Sequence, residues 1–206
     1  MVASALRTTV ADFVAGLKDL ENTAITQALV LRYLHDAQLS ASAISPYVFW
    51  SNESYTRNLI YRDELFEVLA LCWRRGQKTP VHTHNGQLGW VTVLQGEILN
   101  HNYRYVSCSS PGNQNVVGID CLAGSHSVVL DRLKTTSCVA DGSVATVGKL
   151  QTIHQIENAE KSSAGSISLH IYSKPIDSCV VFDIEKKRCG RRSLRYHSSL
   201  GALQAA

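Results

Sequence analysis

From about residue 55 onward the chain is a succession of short β-branched and aromatic runs broken by turn residues. That pattern limits its fold more than any other feature. The runs occupy residues 65–73, 88–94, 127–130, 144–147 and 167–172. Arg75-Gly76, Asn85-Gly86, Pro111-Gly112 and Asp141-Gly142 punctuate them, as turns between strands require. Many short strands at close spacing imply an all-β sandwich or small barrel. There is no alternating strand–helix rhythm, which argues against a doubly wound parallel sheet.

The first 50 residues read differently. Val10, Phe13, Val14, Leu17 and Leu20 recur at steps of three and four, as one face of an amphipathic helix does. Asn22 and Thr23 are candidate caps for a second helix carrying Ile25, Ala28, Leu29 and Tyr33. Ser45-Pro46 closes the segment, because a residue before proline avoids the helical region. So short a helix pair cannot stand alone and is expected to pack outside the sheet. With 206 residues the chain is read as one domain. Its parts are a helical cover over 1–50, a β core over 51–183 and a tail over 184–206. Lys186, Lys187, Arg188, Arg191 and Arg192 in that tail are read as a solvated turn and a frayed terminus.

Composition narrows the function classes. The chain is 45% hydrophobic and 18% charged, enough to bury a core. A net charge of +3, spread along the sequence, gives no concentrated basic face for nucleic acid. No apolar run approaches the roughly 20 residues of a membrane span, and the N-terminus lacks the apolar centre of a secretory signal. Six cysteines without CxxC spacing (Cys72, Cys108, Cys121, Cys138, Cys179, Cys189) are read as reduced thiols. A monomeric cytoplasmic protein is the expectation.

His82-Thr83-His84 is the informative tripeptide. Residues i and i+2 of a strand share a face, so two imidazoles can reach one metal. A lone HxH could be two surface residues, but here five residues separate Gly76 from His82 and Gly96 follows the next strand. This spacing resembles the first cupin motif, with Gly89 where that motif commonly places a glutamate ligand. His154-Gln-Ile-Glu-Asn158 resembles the second motif and offers a third imidazole, with His101, His126 and His170 also available. Imidazole suits iron, zinc, copper and nickel alike, so ligand type alone does not choose the metal.

Further blocks occur in order: Tyr55-Thr-Arg-Asn58, Leu71-Cys-Trp73, Leu94-Gln-Gly96 and Ser168-Leu-His-Ile-Tyr-Ser173. Together with the histidines they resemble cysteine dioxygenase, a cupin-fold mononuclear iron enzyme, over roughly residues 50–183. The resemblance implies a cupin β-barrel of the jelly-roll type, with Fe(II) held by His82, His84 and His154. It implies a small thiol and O2 as substrates, Arg57 and Tyr55 at the substrate, and Ser168, His170 and Tyr172 as a hydrogen-bonded catalytic relay. These roles are physically reasonable. A guanidinium matches a carboxylate as a planar fork, and Ser168, His170 and Tyr172 alternate onto one strand face. Trp73 and Cys179 also match family positions, and core packing is the expected role of both; His35 and His197 are expected to be structural or exposed.

In vertebrate-type members a cysteine cross-linked to the active-site tyrosine stands where this chain has Gly89, so Tyr172 is expected to be a free phenol. The reaction implied is oxidation of L-cysteine to its sulfinic acid. The alternatives are a dioxygenase of 3-mercaptopropionate or a similar mercapto acid, whose members commonly carry glutamine in place of the arginine, and a non-catalytic metal-binding cupin. A Ser-His hydrolase is disfavoured, since no acid member or nucleophile-elbow glycines accompany the pair.

Overall fold

The computed structural model describes residues 8–20, 25–109, 127–149 and 152–204. Two helices come first, α1 (Val10–Asp19) and α2 (Gln27–Asp36), then a single 3-10 turn at Ser45–Tyr47. The strands of the described residues are β1 (Thr56–Arg62), β2 (Phe66–Trp73), β3 (Val81–His82), β4 (Leu88–Gln95), β5 (Glu97–Cys108), β6 (Val128–Val139) and β7 (Val144–Val147). They continue with β8 (Ile153–Glu157), β9 (Ser166–Ser173), β10 (Ser178–Asp183), β11 (Arg188–Ser193), β12 (Ser198–Ser199) and β13 (Ala202–Leu203). One sheet runs β13-β12-β1-β2-β9-β4-β7 and the other β11-β10-β3-β8-β5-β6. The chain is an all-β core of two sheets with its helices packed outside.

Strand periodicity explains why β2 and β9 are buried along nearly their whole length. Phe66, Val68, Ala70 and Cys72 of β2 and Ile167, Leu169 and Ile171 of β9 face outward, where Phe13 and Leu17 of α1 and Val30 and Leu34 of α2 cover them. Each such side chain taken from water contributes about 1.5–3 kcal/mol. The alternate residues, Leu69, Leu71, Trp73 and Tyr172, point into the barrel and meet Val91 and Val93 of β4 and Ile156 of β8. Glu67, Ser168 and His170 share that inward parity and are fully or almost fully buried. Burying such polar groups demands partners, and the interior supplies them.

Several local expectations need correction. The second helix starts at Gln27, with Thr26 Oγ1 accepting a bond from the Leu29 amide at 3.2 Å. Asn22 and Thr23 lie outside the described residues, as do Cys121, His126 and the Pro111-Gly112 turn. The helix buries Val30 and Leu34, leaving Ala28 exposed, because its covering stripe is rotated from the face expected. The segment after Asp183 is not frayed. β11 pairs with β10 over six residues, and β12 adds to β1 in parallel. The His197 and Leu200 amides donate to the Arg57 and Leu59 carbonyls at 2.8 and 2.9 Å. Arginines along β11 resemble a solvated tail in sequence because edge strands carry charge on their open side.

Candidate metal centre and its cavity

His82 ends β3, and its register partner across the antiparallel ladder is His154 of β8. His84 follows two residues later, beyond the strand end, where the Thr83 amide is held by the Val180 carbonyl at 3.0 Å. The next turn reverses through Asn85 (φ 56°) and Gly86 (φ 85°), a left-handed pair that glycine and asparagine tolerate best. The three rings converge at centroid separations of 4.7–4.9 Å. One nitrogen from each lies within 4.8 Å of the others.

Their outward nitrogens identify the tautomers. His82 Nδ1 donates to the Pro80 carbonyl at 3.0 Å, and His154 Nδ1 donates to Asn100 Oδ1 at 2.9 Å. Both protons therefore sit on Nδ1, and both Nε2 lone pairs are free. His154 Nε2 and His84 Nε2 lie 3.1 Å apart, and buried His84 Nδ1 has no partner. Burial pushes His82 down to about 4 and, together with the neighbouring imidazoles, holds His84 and His154 well below the ordinary histidine range. Three neutral imidazoles with converging lone pairs, two of them oriented from behind, suit a divalent transition metal.

Beside this cluster, β9 presents the second group. Trp73 Nε1 donates to Ser168 Oγ at 2.8 Å, Ser168 bonds His170 Nε2 at 2.9 Å, and His170 Nδ1 bonds the Tyr172 hydroxyl at 3.1 Å. An indole N–H can only donate, so Ser168 accepts from it; the hydroxyl is fully buried and His170 Nε2 is its one acceptor among the described hydrogen bonds, so it passes its own hydrogen there. His170 then carries its proton on Nδ1 and donates to Tyr172, whose own hydrogen stays free for the cavity. Burial holds His170 down at about 3 and raises the Tyr172 phenol above its ordinary value. Both are neutral near pH 7. The Tyr172 ring stacks on His84 with centroids 5.8 Å apart, and a Cβ at Gly89 would lie only 3.0 Å from Tyr172 Cε1.

A cavity of about 520 Å³ joins these groups. His82, His84, His170 and Tyr172 line it, and so do Tyr55, Arg57 and Cys179. Tyr55 stacks on Trp73 with centroids 4.7 Å apart and planes 15° from parallel. Arg57, on β1, is buried against Glu67 of β2 with Nη2 3.2 Å from Oε2, and its Nε has no partner. Lys78, Arg192 and Arg195 complete a positive lining to which no carboxylate of the described residues contributes.

Of the eight site residues expected from the sequence, Tyr55, Arg57, His82, His84, His170 and Tyr172 line one cavity, and His154 and Ser168 contact residues that do. His101 does not join them: it bonds Thr135, Arg132 and Glu157 on the six-stranded sheet. Trp73 and Cys179 do more than pack, since the first anchors the relay and the second lines the cavity. His197 also lines it. Sequence reasoning missed Asn100, Glu67 and Tyr196. Glu67 carried the one available signal, an acidic residue at an inward position of an otherwise apolar strand.

The profile of the family described as cysteine dioxygenase type I matches residues 1–185. Human cysteine dioxygenase type 1 is 24% identical over 156 residues, covering 75% of this chain and 68% of that protein. The zebrafish (Danio rerio) cysteine dioxygenase type 1 is 25% identical over 130 residues, covering 63% and 56%. Among solved structures, a Klebsiella pneumoniae protein with a double-stranded β-helix domain is similar at TM-score 0.40 and 18% identity, over 64% of this chain and 86% of that one. No helix of the described residues is long and apolar enough to cross a membrane. With the profile spanning nearly the whole chain, the protein belongs to the cysteine dioxygenase type I family.

Proposed function

We propose that the protein is a mononuclear non-haem iron dioxygenase that oxidises L-cysteine to cysteine sulfinic acid, adding both atoms of O2 to the thiol. The observation that carries this reading is that His82 and His84, two of the three clustered histidines, line the same cavity as Arg57 and Tyr172. His82, His84 and His154 would hold Fe(II) through Nε2, and the ion would supply thiolate ligation and O2 activation. A cation there also lowers the thiol's pKa, so the reactive thiolate forms near neutral pH.

The protein groups bind and orient. Arg57, which lines the cavity, receives the substrate carboxylate. Tyr55, flat against Trp73, walls the same side. Tyr172 accepts from His170 and donates its own hydrogen toward the bound substrate, a fixed dipole rather than a base because its phenol stays protonated. Holding thiol and oxidant in register is a large part of what a protein adds to a metal's chemistry.

One observation keeps a second substrate in view. Among the described residues no carboxylate or side-chain amide lines the cavity to receive an amino group, so 3-mercaptopropionate satisfies the same protein contacts as cysteine. Replacing Arg57 with Ala tests the reading. KM for either carboxylate thiol should rise by about tenfold or more, with iron content unchanged. An unchanged KM removes Arg57 from the substrate site. Because Glu67 then lacks its partner, thermal melting of the variant accompanies the measurement.

A further inference from the structure

We propose that Glu67 and Tyr196 are positioning residues that aim Arg57 at its carboxylate, and so set the specificity of the site for thiols that carry one. The inference rests on the reading that Arg57 receives the substrate carboxylate. It assigns a role to a segment beyond residue 185, where the family match ends.

Glu67 is fully buried, which a carboxylate tolerates only when its oxygens are paired. Oε2 accepts from Arg57 Nη2 at 3.2 Å, and Oε1 accepts the hydroxyl of Tyr196. Tyr196 in turn accepts from Arg62 Nη1 at 2.6 Å. Arg62 grips Asp177 with both arms, at 2.7 and 3.0 Å. Arginine only donates, so the direction of the whole chain is set: Arg62 gives to Tyr196, Tyr196 gives to Glu67, and Glu67 accepts from Tyr196 and Arg57 together. Burial and the bond to Glu67 push the Tyr196 phenol up to about 12, which keeps its hydrogen in place for Glu67.

Arg57 meets this network on two sides. Glu67 takes one guanidinium nitrogen edge-on, and the Tyr196 ring lies beneath the guanidinium carbon at 5.7 Å. Its Nε remains buried and without a protein acceptor. A guanidinium held at Nη2 turns less readily to follow a misplaced ligand, so the orientation it presents to the cavity is decided before substrate arrives. Tyr196 reaches this place because the His197 amide is tied to the Arg57 carbonyl and β12 lies alongside β1.

The test is Tyr196→Phe, which keeps the ring under Arg57 and removes only the hydroxyl that holds Glu67. Binding of L-cysteine and of cysteamine, which has no carboxylate, is measured by calorimetry on Fe(II)-loaded protein without O2. L-cysteine affinity should fall by about tenfold while cysteamine affinity stays within about twofold. In an Arg57→Ala background the same substitution should change neither affinity. Glu67→Gln should reproduce the selective loss, and thermal melting of each variant reports any general damage to the fold. Equal losses for both thiols, or an undiminished effect in the Arg57→Ala background, would overturn the proposal. So would a wild-type protein that binds cysteine no better than cysteamine. If cysteine binding shows the selective pattern but no O2 is consumed, the positioning role stands and the dioxygenase reading falls.

Discussion

The indole of Trp73 donates to Ser168 Oγ at 2.8 Å, and the fully buried hydroxyl, with His170 Nε2 as its one acceptor among the described hydrogen bonds, directs the relay on toward the Tyr172 hydroxyl. Without the indole the Ser168 hydrogen can turn into the space it leaves, so that Ser168 accepts from His170 and the imidazole loses its preferred tautomer. We expect nitrogen NMR of wild-type protein to show His170 protonated on Nδ1. Trp73→Phe should yield a mixture of tautomers and lower kcat by about tenfold or more. A wild-type His170 protonated on Nε2 would contradict the assigned direction.

Asn100 should matter although it touches no substrate. Its Oδ1 accepts from His154 Nδ1 at 2.9 Å and so fixes which nitrogen faces the cluster. Asn100→Ala should weaken metal binding by roughly 10–100-fold, while His154→Ala should abolish stoichiometric loading. Metal content after dialysis, and titration of the metal-free protein with Fe(II) and Zn(II), check both. Full retention of metal by His154→Ala would remove that residue from the site.

What the sequence disclosed, and what it did not, divides along the range of the interactions. His82 with His84, and Ser168 with His170 and Tyr172, were legible because a period of two puts them on one face. His154 came from motif spacing, and Arg57 from the family resemblance. Asn100, Glu67 and Tyr196 were not legible because their importance comes from side-chain hydrogen bonds to residues far off in sequence, 54 apart for Asn100 with His154 and 129 apart for Glu67 with Tyr196. The strands β2, β4, β7 and β9 stood out as apolar runs, whereas β11 and β12 are held by backbone pairing and carry no such run. Trp73 looked like core for a sound reason, since it is fully buried; only the position of Ser168 gives its N–H a purpose.

Acid should destabilise the metal-free protein steeply. His82, His84, His154 and His170 are all held below the ordinary histidine value, chiefly by burial, with His82 at about 4 and His170 at about 3. Below about pH 6.5 the unfolded chain takes up protons that the folded chain refuses, so stability is complete above that pH and declines as pH falls toward 4. Each imidazole contributes up to about 1.4 kcal/mol per pH unit in that window. We expect Tm to be level from pH 7 to 8 and to drop by roughly 10 °C between pH 6.5 and 5.5. A level Tm across that lower range would contradict neutral burial of the cluster.

Gly89 sets the space beside Tyr172. It is paired with Tyr172 across β4 and β9, and a Cβ there would come within 3.0 Å of Tyr172 Cε1 and 3.1 Å of Val147 Cβ. Gly89→Ala should cost about 1–3 kcal/mol and lower turnover, because the phenol must shift from the cavity. As residue 89 has no sulfur, the intact mass of wild-type protein should equal that of its sequence, with Tyr172 unmodified. A Tyr172 adduct in peptide mapping, or an alanine variant as stable and active as wild type, would contradict this packing.

The most direct test of the account is O2 uptake by Fe(II)-loaded protein given L-cysteine, 3-mercaptopropionate or buffer alone, with the product mass recorded. We expect cysteine-dependent uptake of one O2 per thiol and a product heavier by two oxygen atoms. Uptake with 3-mercaptopropionate alone would keep the iron chemistry and overturn the assignment of cysteine. No uptake with either thiol, at full iron loading, would contradict the dioxygenase reading and leave a cupin that binds metal without turning over.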